Sequence, residues 1–173
     1  MTGPEILFQG KRFRVERVMQ TGADGTAHAR EIVRHPGAVT ILPLLDDGRV
    51  CLVENYRAAV GRRLLELPAG TLEPGEPPDE TARRELAEET GYRAGRLQRL
   101  AEFYMSPGNL DERMVLYLAT ELTPGPMALD AGEDLRPRLL AWPEAMAMVR
   151  EGRIEDAKSL VGLLFCDRLG KEM

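Results

Sequence analysis

Between Gly70 and Tyr92 the chain reads GTLEPGEPPDETARRELAEETGY, and five glutamates, Glu76, Glu80, Glu85, Glu88 and Glu89, fall within fourteen residues. Glu85 and Glu89 stand four apart, where like charges on a helix cost about 0.2–0.5 kcal/mol. A multivalent cation would relieve that repulsion. A cluster built only of carboxylates selects hard, oxygen-preferring ions, so magnesium or manganese suits it better than zinc or copper. Magnesium keeps water in its shell and bridges to phosphate, which points to phosphoryl chemistry. The alternative is a solvated helix face whose acids pair with Arg83 and Arg84, as Arg84 and Glu88 would at i,i+4. Tyr56-Arg57, closing an apolar run, could clamp a phosphate or a nucleobase, or could be a surface arginine laid over an aromatic ring. His28 and His35 have no acid or cysteine at ligand spacing and read as structural or solvent-facing. Cys51 and Cys166, far apart and without a CxxC pair, read as reduced core residues.

The acids need a helix to hold them. Pro77-Pro78 can open one, because proline's missing N–H is no loss in the first turn, and Gly91 is a natural stop in the left-handed region. Ala82 and Leu86 then fall on one side and anchor the helix, while Glu85, Glu88 and Glu89 share a neighbouring edge. Upstream, Ile6 to Val18 alternates as a strand, and Gly22, Asp24 and Gly25 turn it into a partner at Ala27 to Arg34, a small N-terminal sheet. Gly37 to Leu45 and Arg49 to Tyr56 read as central strands joined by the hairpin signal Asp46-Asp47-Gly48. A short apolar run then leads to a turn at Pro68-Ala69-Gly70. Downstream, Leu97 to Met105 and Met114 to Leu122 read as strands flanking the loop Ser106 to Asn109. Thr123 to Asp134 is a long loop of the kind that carries function. Leu135 to Trp142 returns to the sheet with Pro137 suiting an edge, and Pro143 to Glu151 and Glu155 to Leu169 read as helices.

The 173 residues suffice for one full hydrophobic core. A net charge of -5 argues against general affinity for nucleic acid or an anionic membrane surface. No apolar run is long enough to span a bilayer and no basic-then-apolar leader opens the chain, so the expected setting is the cytoplasm. Lysine occurs only at Lys11, Lys158 and Lys171. The arginines that make up the remaining cations suit bidentate phosphate contacts, although a coding bias gives the same composition.

The spacing of Gly70, Glu76, Arg84-Glu85-Leu86, Glu88-Glu89 and Gly91-Tyr92 resembles the Nudix box at each of its defining positions. Further similarity, to the ADP-ribose pyrophosphatases of that superfamily, lies in HPGAVTILPLL, in Tyr56-Arg57, in ELPAG from Glu66 to Gly70, and in Ser106-Pro107-Gly108 fifteen residues beyond Gly91. The likeness spans about Phe8 to Leu169. It implies an α/β fold, an α/β/α sandwich around a mixed sheet, with a small antiparallel sheet in residues 1–36 exchanged across a homodimer and a catalytic domain in 37–173. It implies that Glu85, Glu89 and the carbonyl of Ala69 hold Mg2+ or Mn2+, with Glu88 next in line, that Arg84 orients the glutamates and that Glu76 braces the loop. Among the late-loop acids Asp130, Glu133 and Asp134, the match of GEDLRPRLL favours Glu133 as general base, with Glu88 as the fallback. Arg57, Tyr56, Ser106 and Glu112 are the implied substrate contacts. The implied reaction is hydrolysis of ADP-ribose to AMP and ribose 5-phosphate. The rivals are a hydrolase of another small nucleoside diphosphate derivative, such as a nucleotide sugar or dinucleoside polyphosphate, and a non-catalytic nucleotide-binding Nudix domain.

Overall fold

A computed structural model describes residues 3–129 and 134–169. Three strands, β1 (Glu5–Gln9), β2 (Arg14–Thr21) and β3 (Ala27–Arg34), form an antiparallel N-terminal sheet in that order. The single strand expected from Ile6 to Val18 is broken in two. Gly10 donates its N–H to the Phe13 carbonyl at 2.9 Å, and a Cβ there would lie 2.9 Å from both that oxygen and the Phe8 ring. The chain therefore folds back at a glycine, and the N-terminal unit has three strands instead of a hairpin.

The core is built on β4 (Ala38–Pro43), which is buried along its whole length. It pairs in parallel with β9 (Arg113–Pro124) and antiparallel with β7 (Ala69–Thr71), while β8 (Tyr92–Tyr104) completes a mixed sheet ordered β7-β4-β9-β8. A second, antiparallel sheet runs β10-β5-β6, from β10 (Leu135–Ala141), β5 (Arg49–Arg57) and β6 (Arg62–Glu66). Pro137 sits on the edge strand β10, where a missing N–H is tolerated. The Asp46-Asp47-Gly48 turn forms, with Gly48 donating to the Leu45 carbonyl and a bridge between Leu44 and Val50. The strands it joins then diverge into different sheets, contrary to the expected hairpin. Turn chemistry is local, whereas a strand apolar on both faces can be satisfied only between layers. A third difference concerns Pro68-Ala69-Gly70, which is not simply a turn, because Ala69 and Gly70 belong to β7.

Two apolar clusters meet at β4. Val39 and Ile41 pack with Val115, Tyr117 and Ala119 against Ala82 and Leu86 of the helix α1 (Pro78–Thr90). Leu42 faces the other way, into a cluster with Val50, Leu52, Leu67 and Leu140 that is closed by Ala145 and Met146 of α2 (Trp142–Arg150) and Leu163 of α3 (Ala157–Leu169). Helix, sheets and helices therefore stack as a sandwich. Cys51 and Cys166 are free thiols, which burial pushes up to about 12 and about 11. Among the described residues, no helix is long and apolar enough to cross a membrane.

Candidate active site

Helix α1 starts at Pro78 after an extended Pro77, carries Asp79 and Glu80 in its first turn, and ends at Gly91 with φ 72°. Acids near the N-terminus suit the helix dipole; the last turn instead holds Glu88 and Glu89 and no basic residue. The sequence accepts a local cost at the end that faces the cleft. Leu86 and Ala82 press the neighbouring side into the core, which fixes the rotation of the helix and hence the direction of its acids.

Glu89 is 5% exposed and accepts the Ala69 N–H at 3.0 Å. Glu85 lies so close to β7 that a Cβ on Gly70 would come within 1.9 Å of its carboxyl group. Only glycine leaves that space. Arg84 serves three carboxylates at once: Nε and Nη2 donate to the two oxygens of Glu76, each at 3.1 Å, and Nη1 donates to Glu85 at 2.8 Å and Glu88 at 2.9 Å. The hydrogen bond to Glu76 is the main reason the guanidinium pKa is raised, and it holds the Glu76 carboxyl below its usual range.

Arg84, Glu85, Glu88 and Glu89 line a cleft of about 1060 Å³, and Glu76 lies outside its lining. Its floor carries Ala69, Gly70, Arg57, Glu66, Asp156 and Lys158. Glu66 is 1% exposed. Burial alone would raise its carboxyl pKa, but hydrogen bonds from Arg57 and the charge and hydrogen bond of Lys158 bring it below the ordinary value. The lining also includes Lys11, Arg12, Arg14 and Arg34 from the N-terminal unit, with His35 and Glu112. His35 Nδ1 lies 3.7 Å from Glu112 Oε1. Arg14 and Arg34 both pair with the buried Glu16, whose carboxyl is held low mainly by Arg34.

Of the residues singled out in the sequence, Arg57, Ala69, Arg84, Glu85, Glu88, Glu89 and Glu112 line this one cleft. Tyr56 does not. It alternates with Arg57 along β5, opposes Arg63 across the sheet and is half exposed. Ser106 also lies outside the lining, and its hydroxyl donates to Asn109 at 3.2 Å. Asp134 pairs with Arg63 beyond the cleft. Asp130 and Glu133 lie outside the described residues. Asp156 and Lys158 were missed, because a scan for apolar periodicity passes over a charge at the start of an apolar helix, and Glu66, quoted within ELPAG, was given no role of its own. The scarcity of lysine was the one available signal.

Among the described residues no three acids, histidines or cysteines are already gathered as a closed metal cage. The residues nonetheless fit a hard divalent ion. The donors are all oxygens, Glu89 is buried against the β7 backbone, and Gly70 leaves open the space that brings Glu85 to the same strand.

A NUDIX domain model matches residues 34–160. The chain is 40% identical to an ADP-ribose pyrophosphatase of Bacillus subtilis over 163 residues, covering 93% of this chain and 88% of that protein. It is 37% identical to a methanol dehydrogenase activator of Bacillus methanolicus, with the same coverage of both chains. The crystal structure of an ADP compounds hydrolase superposes with a TM-score of 0.83 at 25% identity, covering 99% of this chain and 96% of that one. A loop, helix and strand in this arrangement, inside a domain matched over most of its length, place the chain in the Nudix family.

Proposed function

We propose that this Nudix pyrophosphatase hydrolyses the diphosphate of ADP-ribose. Water adds to one phosphorus, the bridging P–O bond breaks, and AMP and ribose 5-phosphate leave. The observation that carries the reading is that the carboxylate edge of α1 and Arg57 face one cleft, a size and charge pattern suited to a nucleoside diphosphate derivative. Glu85 and Glu89, with the Ala69 carbonyl, would hold Mg2+ or Mn2+, and Arg84 orients the acids. When bound, such an ion supplies Lewis-acid stabilisation of the phosphoryl oxygens and acidifies nearby water. Arg57 offers a fixed cation to the diphosphate, and Glu112 lines the same cleft, where it can accept hydrogen bonds from hydroxyls of the substrate. We assign the general base to Glu133, with Glu88, which lines the cleft, as the alternative. Tyr56 and Ser106, also assigned to the substrate, lie outside the lining of this cleft, and the cleft lends that assignment no support. The reaction belongs in a reducing compartment such as the cytoplasm, in keeping with two free thiols. Residues 1–36 form the exchanged unit of a homodimer.

The test is a product assay with Mg2+ on ADP-ribose, GDP-mannose and a dinucleoside polyphosphate. ADP-ribose should lead in kcat/KM by about tenfold or more, since discrimination comes from contacts beyond the shared diphosphate. Faster turnover of GDP-mannose overturns the substrate assignment.

A further inference from the structure

Lys158 sits in the first turn of α3 with 6% of its side chain exposed. Its ammonium donates to Glu66 Oε2 at 2.6 Å and lies 2.9 Å from Asp156 Oδ1. Glu66 uses that same Oε2 to accept Arg57 Nη2 at 2.6 Å, and its Oε1 accepts Arg57 Nε at 2.8 Å. Asp156 stands just before the helix and caps it, accepting from the Ser159 N–H at 3.0 Å and the Ser159 hydroxyl at 2.5 Å. The Ser159 oxygen in turn accepts the N–H of Leu67, the neighbour of Glu66, at 2.6 Å. The path from Glu66 through Lys158, Asp156 and Ser159 back to Leu67 is closed. Glu66 is held from its side chain and from its own backbone.

A buried carboxylate with one partner would be free to reorient around it, and a buried ammonium without partners would shed its proton. Neither is the case here. The carboxylate is fixed, so the planar fork of Arg57 meets a rigid counterpart. The Arg57 side chain stays 43% exposed where it lines the cleft, with the two Nη1 donors not used by Glu66. An ion pair serving stability alone has no need to border the cleft. Lys158, Glu66 and Arg57 all do.

We propose that Lys158 is a positioning residue for diphosphate binding: through Glu66 it holds the Arg57 guanidinium in the orientation that receives the substrate. The inference rests on the reading of Arg57 as a diphosphate contact. Holding the fork in place removes an ordering cost that binding would otherwise carry.

The test uses the full-length protein with Mg2+ and whichever nucleoside diphosphate derivative the wild type turns over fastest. Failure on ADP-ribose alone thus strikes the substrate reading and leaves this test standing. Lys158→Met should raise KM by about tenfold while kcat changes by less than about threefold, the pattern of lost binding common to ground and transition states. Lys158→Arg should recover most of the affinity, and the dissociation constant of ADP, measured by calorimetry, should follow the same order. Glu66→Gln should also raise KM, and the double variant should be no worse than the worse single one, because both act through one contact. Unchanged KM and ADP affinity in Lys158→Met, a loss confined to kcat, or additive effects would each overturn the proposal. If the methionine variant does not fold, Lys158→Gln is read by the same criteria.

Discussion

One guanidinium organises the carboxylate edge. Arg84 grips Glu76 with two nitrogens and reaches Glu85 and Glu88 with the third, so the loop before α1 is tied to the acids on the helix. Glu89 is held separately, by the backbone of β7. If these acids serve a metal, Glu85→Gln and Glu89→Gln should each lower Mg2+-dependent turnover by about a hundredfold or more. Stability should hold within about 0.5 kcal/mol of wild type or rise slightly, since glutamine still accepts the Ala69 N–H and like-charge repulsion is relieved. Steady-state rates across a Mg2+ titration, with urea unfolding as control, decide it, and near-wild-type rates in both variants would remove the metal role. At this scale the sequence was legible wherever function is written in short spacing, because Glu76 to Glu89 meet through one helical turn after another. It was illegible for Glu66 and Lys158, which are 92 positions apart and meet only after the chain has folded.

The strand beneath the helix is as consequential as the helix. Gly70 on β7 admits the Glu85 carboxyl where any Cβ would collide with it. Gly70→Ala should therefore displace Glu85 with little change in stability, because the atoms in the way are the outer part of a flexible side chain, and remove most Mg2+-dependent turnover in a protein that still folds. Thermal melts beside a Mg2+ activation curve read both effects, and an active Gly70→Ala enzyme would mean that the close approach has no bearing on catalysis. The limits of α1 were readable because Pro77-Pro78 and Gly91 act on the backbone next to them. β7 was not, since three residues beside a proline carry no periodicity. The parting of β4 and β5 was hidden for a related reason: Asp46-Asp47-Gly48 specifies a turn, while the choice of sheet depends on β9 and β10, which come much later in the chain.

At the scale of the molecule, Ile6, Phe8, Phe13 and Met19 leave apolar surface uncovered on the N-terminal sheet, Met19 at 64% and Ile6 at 58% exposure. A second copy exchanging this unit would cover it. Sedimentation velocity at micromolar concentration should show a dimer, and Phe8→Asp should shift it toward monomer with a fall in kcat/KM; a wild-type monomer with full activity would exclude the exchange. The sequence indicated this unit through alternation and turns, yet not how it joins the rest. Among the described residues the sheet has no extensive packing against any core element. It is tied by a short ladder in which Val33 and Asp111 each donate an N–H, to Asn109 and to Val33, and by Arg34 and the His35 N–H on the Asp111 carboxylate.

That ladder gives the cleft the mechanics of a vice. The jaw bearing Glu85 and Glu89 is bolted to the packed core through Leu86, whereas the jaw bearing Lys11, Arg12 and Arg34 hangs on a few hydrogen bonds. On the proposed reading of these carboxylates, the firmly held side of the cleft would keep its register while the loosely tied side accommodates groups of different bulk.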